Sequence, residues 1–387
     1  MARTPPTRSR SPSKRNRIRE RWAQRGFSPA DLLNLWKPNG AWEKYDGLAY
    51  GGKPRQKLDV FKPRHAAKAP VLVFFYGGSW QNGSRDLYPF VGTSLAAQGI
   101  VTIVPDYSIF PPARFPMFIE DAARAVRFAR DNAAHWGGDT ARLVLIGHSA
   151  GAYIAAMLSF DPQWLEQVGL NSQTDLAAFI GLAGPYDFLP IESRTLRTIF
   201  GGANRAETQP ISFVTGKEAP SLLITARRDR LVSPGNSRRM AAKIHAHGGV
   251  AEERTYGGVG HLTLIGAFAP GLRVLAPVLR DVTQFVWRRT SSPLRPGARR
   301  IYLPASRNIR SLTMKSFQRA VLNFVHVQNF VKISRRMTRS FHGLVRDSDS
   351  GAAFLRENCP HGVARHALPS ACASRFAARL FGAGLCR

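Results

Sequence analysis

Five short runs of this chain are almost continuously apolar, and between them lie stretches with helical periodicity. The runs are Val71-Leu-Val-Phe-Phe-Tyr76, Ile100-Val-Thr-Ile-Val104, Leu143-Val-Leu-Ile146, Ala177-Ala-Phe-Ile-Gly-Leu182 and Leu222-Leu-Ile-Thr225. A strand that faces water on one side alternates apolar and polar residues. A strand with no such alternation suits a parallel sheet covered on both faces. Gln56-Lys-Leu-Asp-Val-Phe61 alternates more and suits an outer strand. From Phe118 to Asp131 the apolar Phe118, Ala122, Ala125, Val126 and Ala129 share one helical face, while Glu120 and Arg124 form an i,i+4 pair on the other. Ser233-Pro234 before the run from Ser237 to His245 is a helix start, with Ser as cap and Pro in a first turn that needs no N–H from it. Alternating strand and helix predicts a doubly wound α/β fold, with its ligands at the carboxyl ends of the strands.

Charge does not contradict this. The 387 residues carry 55 Lys+Arg against 25 Asp+Glu, a formal net charge of +30. A surplus of that size suggests nucleic acid, an anionic membrane surface or an acidic partner. It is unevenly spread: residues 1–26 hold +8, residues 288–387 hold +16, and residues 27–287 only +6. The Arg-, Ser- and Pro-rich segment 1–26 cannot bury enough apolar surface to offset its ordering entropy and is expected to be disordered. Residues 27–289 are expected to form the α/β domain, and 290–387 a basic extension, poorly ordered or partly helical. In that extension Phe317, Ala320, Val321, Phe324, Val327 and Val331 recur at roughly helical spacing, ahead of Arg335, Arg336 and Arg339. Such a helix packs on the domain or lies on a membrane or partner.

No stretch approaches 18 consecutive apolar residues, so no spanning helix is expected. No apolar core follows the basic N-terminus, so a secretory signal is not expected and a cytoplasmic location is. The three cysteines, Cys359, Cys372 and Cys386, match no zinc spacing and are too few for a disulfide scaffold. No metal or cofactor is expected.

The chemistry begins at Gly147-His148-Ser149-Ala150-Gly151, a G-x-S-x-G pattern between the run 143–146 and a helical stretch from Ala152. There a serine on a tight, strained turn projects its hydroxyl from the sheet edge, at the positive end of a helix. A serine hydroxyl needs a base, and the base needs an orienting carboxylate. Asp229 follows the run 222–225, and His261 lies in the Gly-rich Gly257-Gly-Val-Gly-His261, where a loop His can swing to meet both partners. The order Ser, Asp, His is that of hydrolases on this fold. His148 is set aside, because its side chain is expected to point away from the hydroxyl. Gly77, Gly78 and Ser79, just past the run 71–76, can offer backbone N–H groups to an oxyanion, together with the N–H of Ala150.

The stretches YGGSW (76–80), VPDYSIFPPARFP (104–116), FIEDAARAVRFARDNAAHWGGD (118–139), LIGHSAGAYIAAML (145–158), AGPYDF (183–188), RRDRLVSP (227–234) and GVGHLTL (258–264) make residues 45–289 resemble the α/β-hydrolase esterases. Within that group the resemblance is to the feruloyl-esterase-like, hormone-sensitive-lipase-like and kynurenine-formamidase-like branch. It implies Ser149 as nucleophile, His261 as general base, Asp229 as orienting acid, and Gly77, Gly78, Ser79 and Ala150 as oxyanion donors. Tyr76 stands where those families usually carry His, which bears on the loop's anchoring and not on its backbone donors. Asp106-Tyr107-Ser108-Ile109 lacks the Arg, and the Pro-Pro that follows lacks the Glu, that those families usually have. The implied activity is hydrolysis of a small or aromatic carboxylic ester through an acyl-enzyme, with aryl formamidase activity as the nearest alternative. A non-catalytic scaffold holding nucleic acid or membrane through its basic tails is the alternative from a different class.

Overall fold

The computed structural model describes Asp31, Leu33, Asn34, Pro38 and residues 42–291. The segment 1–26, the periodic stretch 316–337 and all three cysteines lie outside these residues, as does 292–387 as a whole.

Eight strands form one sheet: β1 (Trp42–Ala49), β2 (Lys57–Pro63), β3 (Ala69–Phe75), β4 (Val101–Pro105), β5 (Gly138–His148), β6 (Leu176–Leu182), β7 (Ser221–Ala226) and β8 (Ala251–Tyr256). Their spatial order is β1-β2-β4-β3-β5-β6-β7-β8. The β1–β2 and β2–β4 pairs are antiparallel and all others are parallel. Every residue of β3, β4 and β7 is buried, as a parallel sheet covered on both faces requires. The five apolar runs are the cores of β3 to β7.

The edges differ from expectation. The stretch 56–61, expected as an outer strand, becomes β2 and lies one position in, with β1 outside it. Asp59, the polar residue behind its apparent alternation, is fully buried and paired with Lys44 of β1 and with Arg85. β1 and β8 carry no apolar run: WEKYDGLA and AEERTY are mostly half-exposed or exposed. Charged, half-exposed edge strands resist pairing with another chain. The same charge hides them in the sequence.

The helices that matter are α1 (Pro89–Ala96), α2 (Met117–Asn132), α3 (Ala150–Phe160), α4 (Arg194–Phe200), α5 (Gly235–Ala246), α6 (His261–Gly266) and α7 (Val278–Thr290). In α2 the face expected to be apolar is buried throughout, with Phe118, Ala122, Ala125, Val126 and Ala129 all at 0% exposure. Glu120 and Arg124 approach to 3.9 Å on its outer side. The start of α5 is displaced from expectation: Pro234, not Ser233, takes the cap position, and Ser233 Oγ instead accepts from Gly235 N–H at 3.2 Å. No helix among the described residues is long and apolar enough to cross a membrane.

Because β3, β5, β7 and β8 are mutually parallel in sense, their carboxyl ends open on one edge of the sheet. The segments that follow them carry Gly77–Ser79, Ser149, Asp229 and His261.

Candidate active site

The turn after β5 is tight. Ser149 has φ 55° and ψ −123°, and α3 begins at the next residue. A non-glycine residue held there costs about 1–3 kcal/mol and persists only where its surroundings over-determine it. They do so here: Ser149 N–H donates to Leu182 O at 2.9 Å, and Ser149 O accepts from the N–H groups of Ala152 and Tyr153 at 2.9 and 3.1 Å. Gly151 is required by close approach, since a Cβ at that position would lie 2.0 Å from Phe75 O of β3. Ser149 is half-buried rather than sealed. The N–H of Ala150, in the first turn of α3, has no intrahelical acceptor.

Asp229 sits in the turn that closes β7, where its N–H donates to Ala226 O at 3.1 Å. Its Oδ1 accepts from the N–H groups of Leu231 and Val232 at 2.9 and 3.0 Å. Its Oδ2 meets His261 Nδ1 at 2.7 Å. Burial acts to raise this carboxyl, but the His261 bond and the Val232 and Leu231 amides outweigh burial and hold it below its ordinary value. A carboxylate can only accept, so Nδ1 of His261 carries a proton, and Nε2 is the ring nitrogen left to accept one. His261 itself departs from expectation. It is not on a free loop but is the first residue of α6, at 8% exposure, behind a turn in which Gly260 N–H donates to Thr263 Oγ1 at 2.8 Å. The glycines before it conceal the helix that begins with it.

Among the described residues no hydrogen bond joins Ser149 Oγ to His261. The elbow and His261 are linked through His148. Its Nε2 lies 3.1 Å from His261 O, and the two rings are 4.7 Å apart. The His148 side chain, expected to point away from the hydroxyl, reaches from the elbow to the backbone of His261.

The loop after β3 approaches Ser149 closely. A Cβ on Gly77 would lie 2.9 Å from Ser149 Cβ and 3.0 Å from His148 O. Gly78, Ser79 and Trp80 all have positive φ, at 143°, 53° and 58°. Gly78 O accepts from the N–H groups of Gln81 and Asn82, both at 3.0 Å. The residue in place of the usual His has its own anchorage. The Tyr76 hydroxyl donates to Asp106 Oδ1 at 2.6 Å and accepts from Arg55 Nη2 at 2.8 Å. Its ring stacks between Tyr107 and Tyr88, with centroids at 4.8 and 5.3 Å. Tyr107 also donates its hydroxyl to Tyr76 O at 2.7 Å. Arg55 reaches Gly83 O at 2.8 Å, and Arg85 donates to both oxygens of Asp106. Burial, then the Asp106 charge, pushes the Tyr76 hydroxyl far above its ordinary value, so it remains a donor. Arg55 and Arg85 were not singled out from sequence, and Asp106 was named only within a motif and not as a partner of Tyr76, because no local pattern marks partners 21 to 30 residues apart.

Beside this loop is an aromatic cluster. Trp80 meets Phe200 and Tyr153 edge-on at 4.9 and 5.2 Å and stacks on Phe188 at 6.2 Å. Among the described residues no group of three or more His, Cys, Asp or Glu side chains is placed to hold a metal ion.

A strained serine after a central parallel strand, with an Asp–His pair at the same edge of a mixed eight-stranded sheet, is the arrangement of the α/β-hydrolase fold. Comparison with known proteins agrees. The family model described as BD-FAE matches residues 58–244. Esterase LipC of Mycobacterium tuberculosis is 32% identical over 240 residues, covering 57% of this chain and 58% of its own length. Isoprenylcysteine alpha-carbonyl methylesterase ICME of Arabidopsis thaliana is 29% identical over 239 residues, 56% of each chain. Kynurenine formamidase of Danio rerio is 33% identical over 147 residues, 38% of this chain and 47% of its own. The chain thus spans less than two thirds of the length of each of these curated relatives. Among solved structures, an esterase of Thermogutta terrifontis, Est2, superposes with a TM-score of 0.54 at 21% identity, over 67% of this chain and 97% of that one. A truncated carbohydrate esterase from gut microbiota gives 0.55 at 18%, over 66% and 99%. The chain has the α/β-hydrolase fold and, over part of its length, is similar to esterases.

Proposed function

We propose that this chain is a serine hydrolase that cleaves carboxylic esters. The observation that carries this reading is the buried Asp229–His261 pair at 2.7 Å, at the sheet edge where Ser149 is held in a strained turn. Ser149 Oγ attacks the ester carbonyl while His261 Nε2 takes its proton. Asp229 keeps the proton on Nδ1 and stabilises the imidazolium that forms. The tetrahedral oxyanion is met by backbone N–H groups of the Gly77, Gly78 and Ser79 loop and of Ala150. His261 then protonates the leaving alcohol, and water hydrolyses the acyl-enzyme with the same groups in reversed roles. The chemistry requires no metal or cofactor.

The proposed substrate is a small or aromatic ester. Phe188, the one partly exposed ring in the otherwise buried cluster of Trp80, Tyr153, Phe188 and Phe200, supports this, because it offers an aromatic face next to Trp80 of the oxyanion loop. The formamidase relative supports a second reading, in which the same groups cleave an aryl N-formyl amide. The test is turnover of p-nitrophenyl acetate, aromatic esters and N-formylkynurenine by the wild type and by Ser149→Ala. Ester hydrolysis that disappears in the alanine variant is expected. A wild type no faster than Ser149→Ala on any ester would refute the esterase reading, and turnover confined to N-formylkynurenine would replace it with the formamidase one.

A further inference from the structure

We propose that His148 is a positioning residue of this site, whose neutral imidazole ties the backbone of His261 to the nucleophile elbow and so sets where His261 Nε2 stands against Ser149. This rests on the proposed roles of Ser149 and His261. The proposed mechanism gives His148 no task, yet it is a titratable group at 2% exposure in the middle of the machinery.

His148 is the last residue of β5, between Gly147 and Ser149. Its Nε2 lies 3.1 Å from His261 O, across 113 residues of chain. A carbonyl only accepts, so Nε2 carries the proton and donates. That leaves Nδ1 with a bare lone pair, and Nδ1 is buried without a hydrogen-bond partner. It faces the oxyanion loop, since a Cβ on Gly77 would lie 3.1 Å from it. One side chain therefore touches the turn that carries the nucleophile, the backbone that carries the base and the loop that carries the oxyanion donors.

His261 is consequently held at two points. Asp229 fixes its ring at Nδ1, and His148 fixes its main chain. Without the second tie the ring can keep its tautomer and still drift relative to Ser149 Oγ, and a displacement near 1 Å is enough to cost about a hundredfold in rate. The neutrality of His148 also matters to its neighbour. Burial, then the proximity of His261, lowers its pKa to about 3, against the opposing effects of its bond to His261 O and of the Asp229 charge. An uncharged His148 leaves the single positive charge of the reaction on His261, where the acid–base steps need it.

Three variants separate the donor from the bulk. His148→Gln keeps an N–H donor the same number of bonds from the backbone. His148→Asn keeps an amide that stops one bond short, and His148→Leu keeps only volume. For p-nitrophenyl acetate, kcat is expected to fall by about 10- to 100-fold in the Asn and Leu variants, with KM within about twofold of wild type. The Gln variant is expected to recover most of that loss. Thermal midpoints are measured on all three, and the kcat order is expected to follow the donor rather than the midpoint. If the Leu variant fails to fold, the Asn and Gln pair carries the comparison. Wild-type kcat in His148→Asn, or a Gln variant as slow as the Asn one, overturns the proposal. Ser149→Ala is run alongside: a wild type indistinguishable from it defeats the esterase reading itself, whereas an active wild type matched by His148→Asn defeats only the role of His148.

Discussion

His261→Ala is expected to lower kcat for p-nitrophenyl acetate by about 10⁶-fold, and adding Ser149→Ala to it is expected to cost little more. In the proposed mechanism the two groups perform one act. A serine hydroxyl is a weak nucleophile without a base within reach, and the base has nothing to activate once the hydroxyl is gone. Residual turnover in either variant then comes from the oxyanion loop and substrate binding alone. Steady-state rates for the two single variants and the double variant check this. Near-equal losses in all three are expected, and losses that multiply would mean that Ser149 and His261 do not act as a unit. Since α6 begins at His261 and is capped by Gly260 and Thr263 rather than by the imidazole, the variant is expected to remain folded.

Asp229→Asn is expected to lower kcat by about 10⁴-fold with little change in KM. The amide retains Oδ1 as acceptor for Leu231 and Val232, so the turn after β7 keeps its bonds. At the other oxygen a donor replaces an acceptor, facing His261 Nδ1 across 2.7 Å. The imidazole answers by moving its proton to Nε2, the atom that must accept from Ser149. A second consequence concerns stability. The folded Asp229 carboxyl lies below its ordinary value of 3.8, so it contributes stability that is present above that pH and is lost as pH falls through the folded value. Denaturant midpoints measured between neutral and acid pH should therefore converge for wild type and Asp229→Asn at the acid end. Kinetics within tenfold of wild type would remove Asp229 from the proposed triad.

Particular elements show what was legible in the chain. The five central strands could be read because a parallel strand with both faces covered leaves a continuous apolar run, as in β3 and β7. β1 and β8 could not, because a half-exposed edge strand such as AEERTY resembles any charged loop. Ser149 was legible because steric crowding of Gly151 against Phe75 O imposes a local sequence pattern. Asp229 and His261 were found by order along the chain, and the structure brings them within 2.7 Å of each other. The helix beginning at His261 was missed, since four residues rich in glycine precede it. The anchoring of Tyr76 by Asp106 and Arg55, and the tie from His148 to His261, depend on partners 21 to 113 residues apart and leave no local trace. Charge was legible in amount and in place along the chain: most of the +30 belongs to residues before 27 and after 287.

A fluorophosphonate probe followed by mass spectrometry of proteolytic peptides tests whether Ser149 is a nucleophile activated by the Asp229–His261 pair. One adduct per chain is expected on the peptide that contains Ser149, with loss of esterase turnover in proportion to labelling, no adduct in Ser149→Ala and much slower labelling in His261→Ala. Labelling on another residue, or full turnover by a chain whose Ser149 is fully modified, would contradict it.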